Sequence, residues 1–427
     1  MLVLPAVIAF VFISIYGVNV IFWDQWDFVP LFDKLYSGDL TLNDLVAQHN
    51  EHRLLVYRVI MLTLGSMTHW NNIAEMYFSW LLLCLICFTL YKIYTISSGN
   101  SWSAAIGFIP VTWLMFNLRQ FENLLFGIQI TFYMLILSFV LAVYFLQTSK
   151  GLDRRFFAAM VCGVAGVFSV ANGLLIWIIG IIQLVCILLS RPAGERGVYL
   201  RSVAVWITLS AVVYLLYFRG YQQPSAHPSM LYFMDQPFTV LAYGLAAIGS
   251  LFSINTPTAV IAGLVLAVLF LAAALLILRD LKYRVEQMPF LVLILFCCAS
   301  VLFLMLGRSG FGIEQALSSR YISITVTGII GLYLAIILVP VKFIDLKSWP
   351  FRTAITLVIL FLLSLDIYIL VVPGKTYLNR QLAQQYLATY QVQPDENLRT
   401  LYPDPEKVRQ YSPILIKYKL NVFYHSE

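Results

Sequence analysis

The sequence predicts an all-α polytopic membrane protein, and two observations carry that prediction. Apolar runs of about 20 residues, each long enough to cross a bilayer as a helix, recur along the whole chain. Of 427 residues, 61% are hydrophobic and only 11% are charged, against roughly 25% in ordinary globular chains. The net charge of +6 comes from basic residues spread over loops rather than gathered on one face, which argues against a nucleic-acid partner. All six cysteines lie inside apolar runs; Cys84-x-x-Cys87 falls in the middle of one, where packing explains it better than redox chemistry. No His/Cys set has zinc spacing.

Met1–Phe22 is the first expected span; it lacks a basic n-region and a small-residue cleavage site, so it reads as retained. The first outer loop, 23–73, follows. In it Val29–Ser37 can form a short helix closed by Gly38 in the left-handed conformation. Thr41-Leu-Asn-Asp44 is a capping-box start for a second short helix reaching about Gln48. Asn50 is placed to cap an apolar helix, Arg53–Leu64, stopped by Gly65 and lying at the interface or at a slant. The next spans are Ala74–Thr95, Ser103–Asn117 and Leu125–Gln147, with the polar knot Arg119-Gln-Phe-Glu-Asn123 before the last. Phe156–Ala171 and Leu174–Ser190 are joined by a tight turn at Asn172-Gly173. Ser202–Phe218 follows, then a loop, 219–237, with His227 and Asp235. Phe238–Ile254 is rich in Gly and Ala. Ala259–Leu278, Pro289–Leu306, Ile322–Pro340 and Thr353–Val372 complete a transmembrane domain of residues 1–372. A polar tail, 373–427, contains a helix start at Asp404-Pro405-Glu406.

Basic loops set the orientation. If the clusters at 150–155, 191–201, 279–284 and 342–352 are cytoplasmic, each connection between them needs an even number of crossings. That holds if Phe238–Ile254 is re-entrant, which membrane proteins tolerate where backbone lines a cavity. The result is about eleven spans, or up to thirteen if 53–64 and 238–254 also cross, with a cytoplasmic N-terminus and an external tail. The 23–73 loop, the 119–123 knot, the Asn172 turn, the 308–321 loop and the tail then share the outer face.

Asp24 and Asp27 leave the first run at i, i+3 spacing, each after a Trp. Carboxylates at a membrane face tend to be functional, and one near apolar surface can serve as a general base toward a hydroxyl. Helix capping is the competing role, stronger for Asp27, which precedes an apolar helix. Glu51, His52 and Arg53 can orient a base or hold an acceptor, or can anchor the next helix. Arg119 and Glu122 suit an ion pair in a tight turn. Arg308 and Arg320, flanking a Gly-rich loop, suit bidentate recognition of phosphate, and Tyr321 stands beside the second.

This opening resembles the GT-C superfamily of integral-membrane glycosyltransferases, such as protein O-mannosyltransferases and the aminoarabinose transferases of lipid A. Those have a span, an acid or acid pair at its outer end, two interfacial helices, a His-containing turn, an apolar helix, a Gly and a second span. Here that order reads Asp24…Asp27, His49-Asn-Glu-His52, Leu54–Leu64, Gly65 and Ala74–Thr95, with the usual His-Pro-Pro turn replaced. Arg119-Gln-Phe-Glu-Asn-Leu-Leu-Phe-Gly-Ile-Gln129, Ala171-Asn-Gly173 and Ser319-Arg-Tyr321 are similar to motifs of bacterial multispan proteins near this superfamily. The resemblance implies a multi-pass enzyme of the cytoplasmic (inner) membrane, its active site facing outward. It would move a sugar from a polyprenyl-phosphate donor to a hydroxyl of a glycan, lipid or protein of the cell envelope. Asp24, with Asp27 second, would be the catalytic base; Arg308, Arg320 and Arg119 would face the phosphate, and Asn123 and Gln129 the sugar. Asn172 and Glu122 join the substrate-binding candidates. Some relatives need a divalent metal, Mg or Mn, and others none. An O-antigen polymerase or ligase would carry its key Arg and His in a large late loop. A flippase or transporter would carry polar residues at mid-membrane depth.

Overall fold

The computed structural model describes residues 1–224, 228, 232–279, 281–338, 349–371 and 373–424; His227, Lys342 and Lys347 lie outside them. The chain is 82% helical. Among the described residues, seven helices are long and apolar enough to cross a membrane: Asn72–Ser98, Gly127–Thr148, Ala171–Leu189, Ala193–Phe218, Thr256–Arg279, Val285–Phe311 and Ser319–Leu338. Four shorter apolar helices accompany them, including Leu4–Tyr16, Leu55–Thr68 and Pro237–Gly249.

Burial separates a central helix from peripheral ones. Of its most apolar stretch, Ser319–Leu338 has 83% buried, whereas Thr256–Arg279 has 28%. The latter leaves Ile261, Leu264, Val268, Leu271 and Leu275 on the surface, as expected of a helix whose solvent on that side is lipid. Small residues allow the close crossings. A Cβ on Gly263 would stand 1.8 Å from the Leu245 carbonyl oxygen, so the Pro237–Gly249 helix packs backbone to backbone on Thr256–Arg279. At 13 residues that helix rises about 20 Å, less than the ~30 Å of a hydrocarbon core.

In the first loop the local signals act as read. Val29–Ser37 ends at Gly38 with φ 83°. Thr41 accepts from the Asp44 N–H at 3.3 Å, while Asp44 accepts from the Thr41 N–H at 3.0 Å. Three expectations change. The first helix is Leu4–Tyr16 rather than a run to Phe22, because the chain leaves helical geometry at Gly17. Residues 48–53 form a small antiparallel hairpin, His49 opposite His52; Asn50 sits in its turn at φ 49° and does not cap a helix. Leu55–Thr68 runs straight through Gly65, whose place is set by the Phe32 ring, 2.5 Å from where a Cβ would be.

The tail packs on this loop. Pro373–Ala388 and Pro405–Lys417 are its longer helices, the second starting from Asp404 as N-cap. The Trp23 N–H donates to the Leu401 carbonyl at 2.8 Å, and the Asn421 N–H to the His69 carbonyl at 2.7 Å. Asn421 also donates to Asn19 Oδ1 at 2.9 Å, and Lys417 pairs with Asp33 at 2.9 Å.

Candidate active site

A cavity of about 780 Å³ lies between the first loop, the 121–132 turn, residues 170–172, residues 304–324 and the tail segment 376–400. The lining is mixed: Phe22, Leu125, Phe126, Phe132, Leu304 and Ile324 are apolar, and Asp24, Glu51, His52, Glu122, Arg308, Arg320 and Arg380 are polar or charged. A large cleft with few placed polar groups is the usual form of a small-molecule site.

Asp24 reaches the cavity from a six-residue 3₁₀ turn, Trp23–Phe28. Gln25, fully buried below, pins that turn: its amide donates to Glu75 Oε2 at 2.9 Å and accepts from Asn72 Nδ2 at 2.8 Å. Asn72 Oδ1 in turn accepts the Gly127 N–H at 3.0 Å. Trp26 is buried, while the Asp24 side chain stays 46% exposed. His49 stands between the two acids, with Nε2 3.8 Å from Asp24 Oδ2 and Nδ1 3.7 Å from Asp27 Oδ2. Burial pushes the Asp24 carboxyl up, but the adjacent His49 ring and the nearby Arg320 guanidinium outweigh it and hold it below its ordinary value. Asp24 is therefore ionised and able to accept a proton. Asp27 is not part of the lining; it is ion-paired with Lys407 of the tail and accepts from the Tyr402 hydroxyl at 3.3 Å.

The hairpin supplies Glu51 and His52. His52 Nδ1 accepts the Ala171 N–H at 3.2 Å, so its proton belongs on Nε2, 3.5 Å from Glu51 Oε1. Burial pushes the His52 imidazolium down to about 4, outweighing the Glu51 charge, so this ring is neutral at pH 7. Glu51 is ion-paired with Arg308. Arg53 turns away from the cavity and clamps the hairpin through the carbonyls of Tyr217 (2.8 Å), Val46 (3.0 Å) and Arg219 (2.6 Å).

Arg119 and Glu122 have separate partners. Arg119 donates to the Ser250 carbonyl at 2.7 Å, behind the cavity. Glu122 Oε2 caps the buried helix, accepting from the Ser319 hydroxyl at 3.0 Å and the Arg320 N–H at 3.1 Å. Asn123 is structural, donating to Ser323 at 2.6 Å and the Arg320 carbonyl at 2.9 Å. This frame leaves the Arg320 guanidinium, held by Ser318 at 3.0 Å, at the cavity with Tyr321. Gln129 Oε1 and Asn172 Nδ2 are buried without a hydrogen-bond partner, on residues that line the cavity; buried polar atoms of that kind normally meet a ligand or water.

Sequence reasoning passed over His49 as a site residue and the whole tail contribution. Arg380 is the clearest case. Its guanidinium lies 4.1 Å from the Phe22 ring centre and 5.0 Å from that of Phe126, and donates to the Leu125 carbonyl at 3.2 Å. Burial pulls its pKa down to about 10. Nothing local in the sequence joins residue 380 to residue 22. The acid pair followed by a His-bearing turn was the one signal for His49. Asp24, Asp27 and His49 bring one ligand atom each within 4.8 Å of one another, the three-residue cluster that a metal would use. Comparison with protein-family models, curated proteins and solved structures finds no match to the chain.

Proposed function

We propose that the protein is a membrane glycosyltransferase of GT-C type that takes a sugar from a polyprenyl-phosphate donor, with Asp24 as general base. The observation that carries this reading is the mixed lining of the cavity, in which an ionised carboxylate, guanidiniums and unpaired amide atoms stand with apolar side chains. A lipid-linked sugar phosphate has matching parts. Its prenyl chain suits the apolar side chains Phe126, Phe132, Leu304 and Ile324; its phosphate suits Arg320 and Arg380; its hydroxyls suit Gln129 and Asn172. Asp24 removes the proton of an acceptor hydroxyl as that oxygen bonds to the anomeric carbon. The bond to the phosphate oxygen breaks, and the guanidiniums take up the charge that develops there. Glu51 holds Arg308 and orients His52, whose ring is neutral at pH 7. In the expected topology of about eleven crossings, with 53–64 and 238–254 not crossing, the lining segments face the outside of the cytoplasmic membrane.

The test is transfer of radiolabelled sugar from polyprenyl-phosphate donors in membranes containing wild type or Asp24→Asn. Transfer by wild type that Asp24→Asn loses, at equal expression and retained donor binding, supports the reading. Equal transfer by both removes Asp24 from the chemistry.

A further inference from the structure

We propose that Lys407 is the counter-cation of the Asp24–His49–Asp27 cluster, engaging the Asp27 carboxylate that a divalent metal would need, so that the tail supplies the site's counter-charge. The three ligand residues are close enough to attract a metal, but with Asp27 engaged by Lys407 they are not arranged as a chelate. In a chelate one imidazole nitrogen and both carboxylates point at a single ion, about 2.0–2.6 Å from each oxygen for Mg or Ca. Here the two carboxylates flank opposite nitrogens of the ring, at 3.8 and 3.7 Å. The ring thus lies between the two acids rather than beside a point that all three share. The other oxygen of Asp27 is already taken, by the Lys407 ammonium and the Tyr402 hydroxyl.

The setting of Lys407 is specific. It is the third residue of the Pro405–Lys417 helix, at the end where the helix dipole disfavours a cation. Glu406 beside it fits that position; Lys407 does not, unless something outside the helix requires it. Asp27 meets that requirement, and Tyr402 holds the ammonium from the other side, with its hydroxyl 3.2 Å from Nζ. The neighbouring turn of the tail is fixed to the Trp23–Phe28 turn by the Trp23–Leu401 hydrogen bond of 2.8 Å. The ammonium thus arrives only when the tail is docked. A divalent ion added beside it would face a like charge within a few ångströms, which opposes binding.

The experiment uses the full-length protein in detergent micelles, stripped with EDTA and titrated with Mn²⁺, with free Mn²⁺ read by electron paramagnetic resonance. Wild type, Lys407→Arg, Lys407→Met, Asp27→Asn and Lys407→Met/Asp27→Asn are compared. Wild type and Lys407→Arg are expected to bind no Mn²⁺ at submillimolar concentration. Lys407→Met is expected to take up about one ion per chain, and the double variant to lose it. Binding by wild type that Asp27→Asn abolishes would overturn the proposal. So would a folded Lys407→Met protein that binds nothing, or one whose ion survives the second substitution. The readout needs no sugar transfer, so it stands or falls apart from the proposed reaction.

Discussion

The two first-loop acids are separable by experiment, since the structure gives them different work. Asp24 is 46% exposed to the cavity, and Asn at that position keeps its size and an oxygen toward His49. Its removal as base costs the general-base factor of about 10²–10⁴ in transfer, or roughly 3–5 kcal/mol of barrier, with little change in melting temperature. Asp27 is the reverse. Its carboxylate and Lys407 are 22% and 26% exposed, between the surface and buried extremes. Breaking that pair costs about 2 kcal/mol, seen as a lower melting temperature and a looser tail. The assay pair is label transfer in membranes and thermal denaturation of purified protein, run on Asp24→Asn and Asp27→Asn together. Asp24→Asn within threefold of wild type, or a stable and wholly inactive Asp27→Asn, would refute the assignment.

Three further substitutions probe the frame. Arg380→Met removes a buried guanidinium whose desolvation costs about 3 kcal/mol, part of it recovered from Phe22 and Phe126. Thermal stability is expected to hold or rise while affinity for a polyprenyl phosphate, read by ligand-induced thermal shift, falls at least tenfold; unchanged affinity would take Arg380 out of the site. His52 binds its proton near pH 4 folded and near 6.5 unfolded. Between those values the unfolded chain holds the extra proton, so stability falls as pH drops from 6.5 to 4, by up to about 3 kcal/mol. His52→Gln should flatten that part of the curve of melting temperature against pH, and an unaltered slope would count against the buried neutral ring. Gly127→Ala places a Cβ 1.9 Å from Glu75 Oε2 and 2.4 Å from Asn72 Oδ1. It is expected to cost several kcal/mol and sharply lower the yield of folded protein, and normal yield and melting would show that the Gln25 network yields easily.

Local chemistry was legible, and distant pairing was not. Gly38, the Thr41–Asp44 box and Asp404-Pro405 act within four residues of themselves, so the short helices of the first loop and tail stand where the residues put them. Polar residues at the ends of apolar runs are rare enough to be noticed, which is how Asp24, Glu51, His52, Arg308 and Arg320 entered as candidates, while Gln129 and Asn172 came with the family resemblance. The hairpin at 48–53 was missed because two-residue strands carry no periodicity; its geometry depends on Arg53 reaching carbonyls at 217 and 219. Gly65 shows a single signal with two causes. A glycine after an apolar run reads as a stop, but here it makes room for Phe32 inside a continuing helix. Glu122 looked like half of an ion pair with a near neighbour, whereas it caps a helix that begins 197 residues later.

The tail explains why the first loop cannot be understood from its own residues. Trp23 holds φ at 48°, a left-handed conformation that costs a bulky residue about 1–2 kcal/mol. The strained residue is the one before Asp24, and its N–H is satisfied by the Leu401 carbonyl at 2.8 Å. That bond fixes the direction in which the next side chain leaves the backbone, toward the cavity, while Gln25 holds the turn from beneath. Glu396, Asn397, Arg399 and Thr400 then form the polar roof over the same space. The placement of Asp24 is therefore a joint property of residues 23–28, 72–75 and 401. A substitution that loosens the tail should misplace Asp24 without touching it, with lost activity and an intact transmembrane bundle.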